Sequence, residues 1–173
     1  HMTALVVGGA ASGKSQLAEQ LILQSAARPR VYIATMQVWD SESERRVQKH
    51  RAMRAEKQFS TLEVPLGLLA AAESVPPGSA VLLEDLTNLC AGEMFSPQGA
   101  GENTEKAILA GVKALAEKCA LLVIVSGDVA GGGLDYAGDT PAYVYTLAKL
   151  NNAAAAMADC VYEAVGGLQI QHK

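Results

Sequence analysis

Short apolar runs alternate along the chain with longer segments whose apolar positions recur at helical spacing, an order that predicts a parallel α/β sheet. Ala4–Val7 reads as a buried strand ending in Gly8-Gly9, and Lys14–Ala27 as a helix with Leu17, Leu21 and Ile22 facing inward. Arg28-Pro29 breaks that helix before a second strand, Val31–Thr35. Residues 41–57 predict a highly charged helix, opened by a capping box of Ser41 with Glu44, with Asp40 and Glu42 at the positive end of its dipole. Thr61–Val64 predicts a strand and Leu66–Glu73 a small helix, before the turn Pro76-Pro77-Gly78 leads into a third apolar strand, Val81–Glu84. Residues 86–95 read as helix, Ser96–Asn103 as a Gly/Pro loop, Thr104–Cys119 as an amphipathic helix and Leu121–Val125 as the fourth clear strand. Beyond a glycine-rich loop at Gly127–Asp139, Pro141–Ala158 predicts a long helix with proline in its first turn. Val161–Val165 and Leu168–Gln171, split by Gly166-Gly167, predict a closing hairpin.

Composition narrows the class. Half the chain is hydrophobic (50%), only 18% is charged and the mean hydropathy is +0.15, which excludes a disordered polyelectrolyte. A net charge of -4 and a pI near 5.4 argue against a nucleic-acid partner, which would call for a basic face. No apolar run reaches the ~20 residues of a membrane span. The opening HMTALVVGG has no basic n-region or cleavage site, so it does not read as a signal peptide, and His1-Met2 looks like an expression remnant. Cys90, Cys119 and Cys160 are odd in number and form no CxxC pair. They read as small core residues of a reduced, cytoplasmic protein rather than as a disulfide or zinc set.

The chemistry begins at Gly8-Gly9-Ala10-Ala11-Ser12-Gly13-Lys14-Ser15, which fits G-x-x-x-x-G-K-[ST]. Its glycines let successive backbone N–H groups turn inward on phosphate oxygens, and the helix that follows adds its dipole. Lys14 supplies a point charge for the terminal phosphates, and the Ser15 hydroxyl suits Mg2+. An apolar strand before the motif and a helix after it supply the context the motif needs. Val81–Glu84 with Asp85 is an apolar strand ending in two acids. In a P-loop fold a carboxylate at the carboxyl end of a neighbouring strand holds Mg2+ or its water, and either Glu84 or Asp85 can serve. Together these features predict one domain over residues 1–173: a three-layer, RecA-like P-loop NTPase with a mostly parallel sheet and a C-terminal hairpin.

Residues 45–54 read RRVQKHRAMR, and on a helix Arg46, His50 and Arg54 share one face at i, i+4 and i+8. Such a face would hold a triphosphate. Cations around an imidazole disfavour its protonated form, and a neutral ring is what attack on phosphorus requires. A solvated charged helix fits the same pattern.

The segments GGAASGKS, YIATMQ, ERRVQKHRAMR with TLEVP, and LLEDLTNLCAGEMF occur in one order, followed by TPAYVYTLAKLNNAAAAMADCVYEAVGGL. The chain thereby resembles, over nearly its whole length, the bifunctional adenosylcobinamide kinase / adenosylcobinamide-phosphate guanylyltransferase family of cobalamin biosynthesis. The resemblance implies phosphorylation of adenosylcobinamide with ATP or GTP. Transfer of GMP from GTP onto that phosphate would follow, through a covalent GMP–histidine at His50. It implies nucleotide contacts at Gly8, Gly9, Ala10, Ala11, Ser12, Gly13, Lys14 and Ser15, at Ala34, Thr35 and Met36, at Arg51, Ala52, Met53 and Arg54, and at Glu63 and Glu84. His50 and Lys14 would be the catalytic pair, Ser15 with Glu84 or Asp85 would handle Mg2+, and the protein would form a homo-oligomer, a trimer.

The sequence departs from that pattern at several positions. Lys49-His50 stands where some members carry His-His, and Met53-Arg54-Ala55 where the best-known members have Gly-Arg-Pro. Glu84-Asp85 replaces an expected Glu-Cys, and Gly127-Asp128-Val129-Ala130 replaces Asn-Glu-Val-Gly. From residues alone, two other readings stay open: a P-loop small-molecule kinase that forms no histidine adduct, and a non-catalytic nucleotide-binding protein. Trp39 reads as packing between strand and helix, His172 as silent, and Asn151-Asn152 as ordinary helix asparagines.

Overall fold

The computed structural model describes residues 1–38, 40–128 and 140–173. Trp39 and the glycine-rich stretch from Val129 to Asp139, including Gly131-Gly132-Gly133 and Ala130, lie outside the described residues.

The strands are Met2–Gly8 (β1), Arg30–Ala34 (β2), Phe59–Glu63 (β3), Ala80–Glu84 (β4), Leu121–Gly127 (β5), Cys160–Val165 (β6) and Leu168–Gln171 (β7). They form a seven-stranded sheet in the order β3-β2-β4-β5-β1-β6-β7. All pairings are parallel except the terminal hairpin of β6 with β7. The acid-tipped β4 is therefore not the neighbour of β1 that the sequence led us to expect, because β5 inserts between them. Both faces of the inner strands are covered, which is why they read as unbroken apolar runs.

The helices are Lys14–Leu23 (α1), Ser41–Glu56 (α2), Leu68–Ala72 (α3), Leu86–Phe95 (α4), Thr104–Lys118 (α5) and Pro141–Met157 (α6). Alternate residues of each strand feed two cores. Leu5, Ile33, Leu83 and Ile124 pack with Leu68, Leu89, Ile108 and Leu147 of α3, α4, α5 and α6. Val6, Tyr32, Leu82 and Val123 pack with Ala18 and Ile22 of α1 on the other face. The result is three layers.

Local chemistry explains where the element ends differ from expectation. α1 stops at Leu23 rather than Ala27: the Ser25 hydroxyl accepts the Ala27 amide at 3.1 Å, offering the backbone a non-helical partner. α2 is capped by Asp40, not by a box of Ser41 and Glu44. The Asp40 carboxylate accepts the Ser43 N–H at 2.7 Å, and this bond holds its carboxyl below the ordinary carboxylate value. β3 begins two residues earlier than predicted because Phe59 is itself a core residue, meeting Tyr32 edge-on at 6.1 Å between ring centroids. A single turn of 3-10 helix at Gly101–Asn103 closes the loop before α5. Cys90 and Cys119 are buried and Cys160 is half-buried, all free thiols; burial pushes the first two up to about 12 and about 11. No described helix is long and apolar enough to cross a membrane.

Candidate functional site

The parallel strands deliver their carboxyl ends to one edge of the sheet, where α/β ligand sites form. There β1 turns into the phosphate loop. A Cβ at Gly8 would lie 2.4 Å from Ser12 Oγ and 2.9 Å from the Ala164 carbonyl, so only glycine fits. Ala11 (φ 55°) and Gly13 (φ 93°) take left-handed conformations that curl the chain, and the Ser12 amide closes on the Gly9 carbonyl at 3.3 Å. Lys14 Nζ lies over the loop, donating to the Gly9 carbonyl at 3.0 Å. Ser12 Oγ is buried without a protein partner. From outside, the Gly167 amide in the β6–β7 turn donates to the Ser12 carbonyl at 2.9 Å and braces the loop.

The acids stand opposite. Glu84 Oε2 accepts from the Tyr32 hydroxyl, whereas its Oε1 is buried with no protein partner. Burial, with Glu84 beside it, raises the Tyr32 phenol above its ordinary value, so the phenol keeps its proton for that bond. Asp85 caps α4, its carboxylate accepting the Asn88 N–H at 2.7 Å. Burial above all, with the Glu84 charge adding, pushes its carboxyl up to about 6, against the pull of the Asn88 bond and Lys14. Thr35 holds the pair in place. Its amide donates to the Glu84 carbonyl at 3.1 Å, and its hydroxyl both accepts from the Asp85 amide and donates to the Asp85 carbonyl at 2.7 Å. Thr35 is fully buried, so the expected nucleotide contact becomes a stitch between β2 and β4.

Between loop and acids opens a cavity of about 200 Å³ lined by Lys14, Ser15, Tyr32, Ala34, Met36, Val47, His50, Arg54, Glu63, Glu84, Asp85 and Asn88. A second hollow of about 350 Å³ continues along α1 past Gln16 and Glu19 to Met53 and Lys57, again with His50 and Ser15 in its wall. The exposed His50 therefore borders the same space as the phosphate-loop lysine within one chain. Arg54, although charged, is 9% exposed. Its guanidinium carbon lies 3.9 Å over the Tyr32 ring, and Nε donates to Thr61 Oγ1 at 3.4 Å. The predicted cationic face divides: Arg46 lines a separate hollow, and Arg51, 3.9 Å from Glu63, lines none of the described ones, nor does Ala52.

Tyr32 and Asn88 were not singled out from sequence. Tyr32 alternates like any strand residue, and its partner Glu84 is 52 positions away. Asn151 was expected to be unremarkable, yet its Oδ1 accepts from Ser126 Oγ at 2.5 Å and its Nδ2 donates to the Gly127 carbonyl at 3.0 Å, anchoring the end of β5. His172, expected silent, pairs at 2.9 Å with Glu163 on the exposed hairpin, and neither residue lines the cavities described above.

The donor set suits Mg2+. The Ser15 hydroxyl and the Glu84 and Asp85 carboxylates are hard oxygens, and Glu84 Oε1 is left without a partner. No group of three or more His, Cys, Asp or Glu among the described residues forms a metal cage.

Comparison with known proteins gives the family. The bifunctional adenosylcobalamin biosynthesis protein CobU of Escherichia coli K12 is 32% identical over 185 residues, covering 99% of this chain and 100% of that one. The corresponding CobP of Pseudomonas aeruginosa PAO1 is 45% identical over 93 residues, about half of each chain (51% and 53%). Among solved structures, an ATPase of a bacterial type III secretion system superposes with a TM-score of 0.56 at 11% identity, over 98% of this chain and 56% of that one. That likeness concerns the fold, a RecA-like P-loop α/β sheet. The family of cobinamide kinase / cobinamide phosphate guanyltransferase, CobU, matches residues 4–172, and the chain belongs to this family of transferases.

Proposed function

We propose that the protein phosphorylates adenosylcobinamide with ATP or GTP and then, through a covalent GMP adduct of His50, converts the phosphate into adenosylcobinamide-GDP with release of pyrophosphate. The observation that carries this reading is the shared cavity: His50, Lys14, Ser15 and Glu84 line one space within a single chain. In the kinase half-reaction the acceptor's hydroxyl oxygen bonds to the γ-phosphorus as the β–γ bridge breaks, and the hydroxyl proton leaves to solvent. Lys14 and the loop amides stabilise charge on the departing phosphates. In the transfer half-reaction a neutral ring nitrogen of His50 attacks the α-phosphorus and pyrophosphate leaves. The acceptor's phosphate oxygen then displaces that nitrogen, restoring the free ring. Ser15 with Glu84 or Asp85 would hold Mg2+, which when bound neutralises phosphate charge. Holding the reacting atoms in line and offsetting the phosphate charge together lower the barrier.

Incubation with GTP labelled at the α-phosphorus, followed by denaturation, tests the reading. An acid-labile, base-stable label on the wild type that disappears in His50→Ala is the expected result. An unlabelled wild type that still phosphorylates the corrinoid would overturn the adduct mechanism.

A further inference from the structure

A third hollow, about 760 Å³, opens beside the two that surround His50 and exceeds both. It lies among the early turns of α2, the outer part of α4 and the Ser96–Gln98 segment, and it shares Met36 and Asn88 with the phosphate-side cavity. Its walls are built in advance. Glu93, 5% exposed, accepts the Gly67 amide at 2.9 Å with one oxygen and the Ala100 amide at 3.0 Å with the other, tying down the loops on either side. A Cβ at Gly99 would lie 2.2 Å from the Glu93 carbonyl, so that approach depends on glycine, and one at Gly92 would press on the Pro65 carbonyl at 3.0 Å. Gln37 Nε2 donates to Ser96 Oγ at 2.9 Å.

The lining is wrong for a triphosphate. Phe95 and Met36 are 48% and 40% exposed, Gln37 and Gln98 offer carboxamides, and Arg46 is the single cation among the lining residues. Volumes of this order hold drug-sized ligands or a substantial part of something larger. A large amphiphile with amide groups at its rim matches, and it would reach the reacting phosphates past Met36 and Asn88.

We infer that this hollow receives the corrinoid acceptor, with its apolar wall against the macrocycle, its carboxamides against the amide side chains, and Arg46 holding the acceptor's phosphate during GMP transfer. The assignment rests on the function proposed above. Arg46 precedes His50 by one turn of α2, and the hollow it lines meets the cavity that His50 lines at Met36 and Asn88, so its charge would stand beside the path along which the acceptor phosphate approaches the adduct. As the phosphate oxygen bonds to the GMP phosphorus, the P–N bond breaks and its electron pair returns to the ring. A guanidinium there offsets the charge of two phosphates drawn together.

Equilibrium dialysis with cobinamide, read by the visible absorption of the corrin, tests the site without turnover. Ala91 of α4 lines the hollow, so Ala91→Trp fills it and is expected to weaken binding at least tenfold while GTP still labels the protein. Phe95→Ala removes a half-exposed ring that also meets Tyr143 at 6.1 Å between centroids, and a several-fold loss is expected, with thermal unfolding followed as the check on folding. Arg46→Ala is expected to raise KM about tenfold for cobinamide phosphate in the transfer step, with a much smaller change for cobinamide in the kinase step. Unchanged dialysis curves for both Ala91→Trp and Phe95→Ala overturn the assignment, as does a wild type that binds no cobinamide. An equal rise in KM for both acceptors in Arg46→Ala overturns the phosphate role. A wild type that binds cobinamide but takes no label overturns the adduct mechanism and supports the acceptor site.

Discussion

Glu84 shows how one side chain can be held ready while remaining half satisfied. One oxygen takes the Tyr32 hydroxyl and the other waits without a partner. Tyr32→Phe leaves both oxygens short of donors in a half-buried place, a loss worth about 1–3 kcal/mol. We expect a lower melting temperature for the ligand-free protein, partly restored by Mg2+ with nucleotide; identical melting curves would remove Tyr32 from the account. Asp85 gives a pH signature. Its folded carboxyl titrates near 6 against an ordinary 3.8, so between those values the native state binds more protons than the unfolded one. Stability from this group is present in full below pH 3.8 and declines as pH rises through about 6. Asp85→Asn keeps an N-cap acceptor for Asn88 and should flatten that slope in thermal unfolding between pH 4 and 7. At this scale the phosphate loop was legible because its chemistry is contiguous, Gly8 to Ser15 in one run. The bonds that Tyr32 and Thr35 make were not, because each acts on residues at the end of β4, about 50 positions on.

Among the elements, α2 departs furthest from its sequence reading. Arg46, His50 and Arg54, spaced four apart, suggested one anion-binding face, yet packing divides it. Arg54 turns onto the Tyr32 ring and Thr61 while still lining the phosphate-side cavity with His50, and Arg46 lines the hollow beyond it. Helical periodicity gives the angle of a side chain but not what the next strand puts in front of it. Arg54→Ala should cost about 1–2 kcal/mol in chemical denaturation through the lost stacking and hydrogen bond, and should weaken GTP binding too. Arg54→Lys should recover little, since an ammonium lacks the flat face that lies on the ring. Full recovery by lysine would mean that only charge matters there. The start of α2 was misread by one residue for a related reason: Asp40, Ser41 and Ser43 are all capping types, and the carboxylate prevails because it brings full charge to the positive end of the helix.

Across the whole molecule, alternation of strand and helix was enough to foresee a layered parallel sheet, whereas strand order was not. Nothing in the run Leu121–Val125 says that it will lie between β1 and β4, since neighbours in a sheet are chosen by crossovers rather than by local pattern. The sheet gathers the phosphate loop, the acids and the end of β2 at one edge, so nucleotide binding should be felt as global stability. GTP at a hundred times its dissociation constant should add about 2.7 kcal/mol to unfolding, seen as a rise in melting temperature. Lys14→Ala should lose most of that rise while unfolding normally without ligand. A full rise in the variant would move the nucleotide elsewhere.

The hairpin at the far end of the chain gives the amino-terminal loop a dependence on time as well as on space. β1 is flanked by β5 and β6, and the loop that follows it is propped by the Gly167 amide. A ribosome that has released only the first hundred residues has therefore exposed a phosphate motif with neither of its flanking strands nor its prop. Such a nascent chain would have to wait for its last strands before it could grip a nucleotide.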